Sequence, residues 1–130
     1  MFDWKEPTVQ MLGRWQPWHD GHQALFKRCI KKTGQVVIQV RDVQGATGGK
    51  DQDDNPFNWE EVCKNIQDGL KKDGFKRGVD YEIMLVPNIV NISYGRGVGY
   101  SFDEETFDES ITAISATKIR KKLRDEGKLT

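Results

Sequence analysis

At 130 residues the chain has room for one hydrophobic core and little else. Its 36% hydrophobic and 31% charged residues suit a soluble globular domain and argue against disorder. The 20 basic and 20 acidic residues cancel, which disfavours nucleic acid and an anionic membrane surface as partners, and no stretch approaches the roughly 18–20 apolar residues that span a bilayer.

Met1 to Thr8 is polar and has no apolar signal-peptide core, so a cytoplasmic location is expected by elimination. Thr8 to Leu12 reads as a buried first strand ended by Gly13. Asp20 to Lys32 reads as a helix. Ala24, Leu25, Cys29 and Ile30 lie on its apolar side, Lys27, Arg28, Lys31 and Lys32 on its polar side, and Gly34 closes it. Gln35 to Val40 is a second, β-branched strand. Asp42 to Asn55, polar and glycine-rich, is expected to be a substrate-binding loop. Pro56 is expected to start a helix reaching Asp73, with Phe57, Val62, Ile66 and Leu70 on its buried side. Tyr81 to Val86 is a third strand stopped by Pro87, and a fourth is expected within Asn91 to Phe102. Ser115 to Glu126 reads as a basic helix.

Strand alternating with helix predicts an α/β fold, a Rossmann-like doubly wound parallel sheet, with residues 1–130 as one domain. Ligands of such sheets bind beyond the carboxyl ends of the strands. Cys29 and Cys63 belong to no CxxC pair and are expected to be plain thiols.

The most informative run is Gly13-Arg14-Trp15-Gln16-Pro17-Trp18-His19-Asp20-Gly21-His22, at the junction of the first strand and first helix. It holds both histidines of the chain, three residues apart and therefore on one helical face. The helix start adds unpaired N–H groups and partial positive charge, and Gly21 removes a side chain where a phosphate could approach. A zinc site is disfavoured because no third histidine is present. Gly45 to Lys50 fails as a P-loop: Gln44 stands at the first glycine position and Asp51 where Ser or Thr is required. Trp15 is expected in the core and Trp18 along a nucleotide pocket.

The Gly13–His22 run resembles the signature of the HxGH nucleotidyltransferase superfamily. Ile114-Ser115-Ala116-Thr117-Lys118-Ile119-Arg120 is similar to that superfamily's second motif, IS-x-T-x-IR. The resemblance implies catalytic roles for His19 and His22, and nucleotide binding by Gly13, Arg14, Trp15, Gln16, Trp18, Gly21, Ile114, Ser115, Thr117 and Arg120. It implies attack by an acceptor oxyanion on the α-phosphate of a nucleoside triphosphate, with pyrophosphate leaving and Mg²⁺ arriving with the triphosphate. Arg41 and Arg96 are the expected contacts of a small anionic acceptor; no protein-held metal is expected.

Asn55-Pro56-Phe57 followed by Glu61 resembles a helix start in archaeal-type nicotinamide mononucleotide adenylyltransferases, which also carry a GRFQP-like first motif. There an arginine follows the glutamate; here Val62 does. The compact length is closer to cytidylyltransferase-like proteins, which favours CTP as donor. ATP, with a mononucleotide-type acceptor, is the first alternative, and a non-catalytic nucleotide sensor is the second. The resemblance leaves a homodimer open as the assembly.

Overall fold

A computed structural model describes residues 1–43, 55–96, 99–105 and 116–127, including in the last stretch the side chains of 119 and 121–127. Its elements run β1 (Val9–Gly13), α1 (Asp20–Thr33), β2 (Val36–Arg41), α2 (Trp59–Lys72), β3 (Tyr81–Val86) and α3 (Ala116–Asp125). The three strands pair in parallel in the order β1-β2-β3. That order is one wound half of a Rossmann-like sheet, with α1 and α2 as the successive crossovers, so the α/β single-domain expectation holds.

Register decides which side chains are shared between strands. Met11 aligns with Ile38 and Ile83, so alternate residues of three strands point together onto one face. Phe26 and Cys29 of α1 and Val62, Cys63, Ile66 and Leu70 of α2 complete a single buried cluster on that face. The i, i+4 spacing of Val62, Ile66 and Leu70 was legible in sequence; Phe26, 0% exposed and edge-on to both Phe75 and Tyr81, was not singled out. The other face carries Gln10, Leu12, Gln39 and Arg41.

Both long helices start on reciprocal caps. Asn58 Oδ1 accepts the Glu61 N–H at 2.9 Å while Glu61 Oε1 accepts the Asn58 N–H at 3.1 Å. The helix therefore begins at Trp59, three residues after the expected start at Pro56. Phe57 cannot join it, because its backbone N–H and C=O are both bonded to the side-chain amide of Gln16, at 2.9 and 3.0 Å. Gly34, at φ 89°, closes α1 as expected, donating its N–H to Ile30 O at 2.8 Å.

The fourth strand is a correction. The described residues within 91–102 form no strand, and Ile92, Tyr94, Tyr100 and Phe102 are exposed there. Their β propensity is unsupported by a neighbouring strand or a buried face, and propensity without burial decides little. Lys32 ties the 99–105 segment to α1 through Asp103 and Glu105, at 2.8 and 2.7 Å. Cys29 and Cys63 are buried free thiols, and burial is the first cause raising the pKa of each.

Candidate active site

The turn from β1 into α1 is built around two indoles. Trp15 takes a left-handed backbone (φ 53°), and its Nε1–H donates to Gln39 O at 3.1 Å, locking the ring against β2. Trp18 is buried beside it, ring centroids 5.2 Å apart. His22 then packs edge-on against Trp15 at 4.8 Å and at a tilt against Trp18 at 5.5 Å.

The histidines form the cap of α1 themselves. His19 Nδ1 accepts the Gly21 N–H at 3.0 Å, and His22 Nδ1 accepts the His19 N–H at 3.2 Å. Their rings stack with centroids 3.6 Å apart. Because each Nδ1 is an acceptor, the proton of each neutral ring resides on Nε2. Burial is the first cause lowering both pKa values; His22, further depressed by the neighbouring His19, falls to about 3, while Asp20 partly offsets the effect on His19. The result at neutral pH is two uncharged Nε2–H donors at the start of a helix, suited to stabilising developing phosphoryl charge without binding a proton.

Three sets of hydrogen bonds, centred on Gln23, Gln16 and Arg14, anchor this turn, and none was singled out from sequence. Trp18 Nε1–H donates to Gln23 Oε1 at 2.7 Å, and Gln23 Nε2 donates to Gly69 O at 2.8 Å and to Asp73 Oδ2 at 2.7 Å. Gln16 clasps Phe57 as described above. Arg14 donates through Nη1 to Asn55 Oδ1 at 3.2 Å. A glycine inside a helix was the one available signal for Gly69, since it costs about 1 kcal/mol relative to alanine unless something packs there. A Cβ on Gly69 would stand 2.9 Å from Trp18 Cδ1 and 3.0 Å from its Nε1. Gly69→Ala is therefore expected to lower the melting temperature despite its better helix propensity, and to shift Trp18 fluorescence. An unchanged or raised melting temperature would show that Trp18 is free to give way.

A cavity of about 680 Å³ opens outside His19 between α1 and α2, with Pro17, Trp18, Gln23, Phe57 and Gly69 among its lining residues. Leu123 of α3 lines it too, so the helix that carries part of the second motif borders the cavity outside His19. Ile114 and Ser115 lie outside the described residues, as do the loop residues 44–54. Thr117 and Arg120 fall in the backbone of α3, their side chains outside the description. Arg41 ends β2 and lines a second cleft. Arg96 is exposed and is not among the described lining residues of either cavity. Val62 is 1% exposed in the core, a site that would not take an arginine.

No family model matches the chain. Curated relatives do. The chain is similar to nicotinamide-nucleotide adenylyltransferases. It is 28% identical to that protein of Methanococcus aeolicus over 133 residues, covering 87% of this chain and 75% of the relative. Against those of two Methanococcus maripaludis strains, C5 and C6, it is 26% and 27% identical over 135 residues, covering 88% of the chain and 77% of each relative. These relatives support the nucleotidyltransferase superfamily resemblance carried by the Gly13–His22 run, and an enzyme of the nucleotidyltransferase class. Their names are adenylyl, so the preference for CTP expected from chain length finds no support among them. Among the described residues no helix is long and apolar enough to cross a membrane.

Proposed function

We propose that the protein is an adenylyltransferase that joins the AMP part of ATP to the phosphate of a small mononucleotide-type acceptor. An acceptor phosphate oxygen attacks the α-phosphorus; the bond from that phosphorus to the oxygen bridging to the β-phosphorus breaks, and pyrophosphate leaves with the electron pair. The observation that carries this reading is the paired-histidine cap, whose two Nε2–H donors stand at the N-terminus of α1 on the carboxyl edge of the sheet. The similarity to adenylyltransferases supports ATP over CTP.

His19 and His22 would hold the oxygens of the reacting phosphate as its charge grows, a contribution that strengthens toward the transition state. Ser115, Thr117 and Arg120 are proposed to hold the β- and γ-phosphates, Arg120 through its planar fork. Trp15 and Trp18 back the His22 imidazole and shield it from water. Among the described residues no group of three or more His, Cys, Asp or Glu side chains is gathered to hold a metal. Mg²⁺ would arrive with the triphosphate and supply charge neutralisation of the leaving pyrophosphate.

Pyrophosphate release from ATP and from CTP, each with Mg²⁺ and nicotinamide or nicotinic acid mononucleotide, tests the reading. ATP is expected to support release and CTP to support little. Release from CTP alone would return the cytidylyl reading. ATP binding without release from any acceptor would favour a nucleotide sensor.

A further inference from the structure

Gln23 is buried in the first turn of α1, and its amide joins the histidine turn to the last residues of α2. Its Oε1 accepts the Trp18 indole N–H at 2.7 Å, while its Nε2 donates to Gly69 O at 2.8 Å and to Asp73 Oδ2 at 2.7 Å. These partners fix the orientation of the amide. An indole nitrogen only donates and a carbonyl or carboxylate oxygen only accepts, so a flipped amide would set N–H against N–H and oxygen against oxygen. Lys27 pairs with Asp73 at 3.0 Å, and the Gln23 amide, followed by Lys27, holds the Asp73 carboxyl below its ordinary pKa. The acceptor at the far end of the bridge therefore stays ionised.

Two features seat Trp18. Gln23 takes its N–H, and Gly69 leaves room for its ring, since an added Cβ there would stand 2.9 Å from Cδ1. The same indole packs against Trp15 and against the His22 ring, with centroids 5.2 and 5.5 Å apart. Without the amide, a buried N–H has nothing to bond, which favours rotation of the indole toward water in the cavity it lines. The wall beside His22 then moves.

Resting on the adenylyltransferase reading, we infer that Gln23 is a positioning residue for the transfer: it ties Trp18 to the end of α2 and so fixes the direction in which His22 presents its Nε2–H. The test is Gln23→Leu in the full chain, which keeps most of the side-chain bulk and removes all three bonds. Turnover with ATP, Mg²⁺ and nicotinamide or nicotinic acid mononucleotide is measured beside the NMR signals of the His22 ring nitrogens, well below the melting temperature. Because small misplacements of reacting groups are costly, kcat is expected to fall roughly 10–100-fold. KM for ATP should stay near wild type, and the His22 signals should shift. Trp18→Phe, which lacks the indole N–H, should itself lower kcat, and adding Gln23→Leu to it should lower kcat little further, because residues acting through one contact are not additive.

A Gln23→Leu protein that melts earlier but keeps wild-type kcat and His22 signals would reduce Gln23 to glue between two helices and overturn the inference. Fully additive losses in the double variant would do the same. If Gln23→Leu does not fold, Gln23→Met removes the same bonds with an unbranched chain that adapts to the gap. The unsubstituted protein supplies a further check: its Trp18 indole proton should exchange slowly with solvent, and fast exchange would overturn the inference. Wild-type protein that transfers nothing from ATP would sink the adenylyltransferase reading, while the His22 signals of Gln23→Leu would still decide whether Gln23 positions that ring.

Discussion

Replacing His22 with alanine is expected to lower kcat by roughly 10²–10³-fold, the usual effect of removing one preorganised donor to a developing oxyanion. KM for ATP should move much less, because the lost Nε2–H bond is strongest in the transition state. The substitution also removes the Nδ1 acceptor of the His19 N–H, so about 1 kcal/mol of cap stability goes with it. His22→Gln separates the two effects. A glutamine at this position of the cap can accept the same N–H and restore stability, without placing a ring donor at the phosphate. A folded His22→Ala protein with wild-type kcat would remove the histidines from the mechanism.

The same residue gives stability a pH dependence whose sign is fixed by its depressed pKa. His22 protonates only near pH 3 when folded, whereas an unfolded histidine does so near 6.5. Between these values the unfolded chain binds the extra proton, so stability rises with pH and is lost on acidification through that window. From pH 7 to pH 5 the loss is about 2 kcal/mol. His22→Ala lacks this contribution, so the gap in melting temperature between it and wild type should narrow over that range. Nitrogen NMR should find the His22 ring still neutral at pH 5. A ring titrating near its ordinary value would mean that the indoles do not enclose it.

Gly13→Ala is expected to be among the most damaging single-carbon additions in the molecule. The new Cβ would stand 2.8, 2.9 and 3.0 Å from three ring carbons of Trp15. That ring cannot swing away cheaply: it is 6% exposed, bonded to Gln39 O, and attached to a backbone already in the left-handed region. Overpacking of this kind costs roughly 1–3 kcal/mol, which corresponds to a melting-temperature drop of several degrees for a domain of this size. Displacing Trp15 also shifts the wall behind His22, so activity should fall in protein that remains folded. Normal melting and normal turnover together would show that the turn is softer than its contacts imply.

How much of this was legible beforehand depends on whether the relevant property is periodic. The three strands, the two crossover helices and the glycine stop of α1 were readable because burial on one face of a strand or helix repeats along the chain. The histidine pair and its helix start were readable for a similar reason: residues three apart share a face wherever a helix begins. What failed was local propensity with no partner to support it. The apolar residues of 91–102 have no neighbouring strand among the described residues, and Phe57 was assigned to a helix although the amide of Gln16 had claimed its backbone.

The sequence by itself therefore determined the α/β alternation and the placing of both histidines at the β1–α1 turn, where the phosphate chemistry is proposed. Tertiary structure decided their chemical state. The packing of His22 against Trp15 and Trp18, with His19 adding to it, keeps the ring neutral well below the ordinary histidine range, and bonds from Gln39, Gln23 and Gly69 help hold those indoles in place. These partners lie 5 to 46 residues apart along the chain, and the larger separations carry no local sequence signal. The same holds for Arg41: its charge is written in the sequence, but its unpaired Nε is a consequence of what the fold places around it. A side chain's type is local information. Its desolvation and its partners are set by three-dimensional contact, and those govern whether it donates, accepts or ionises.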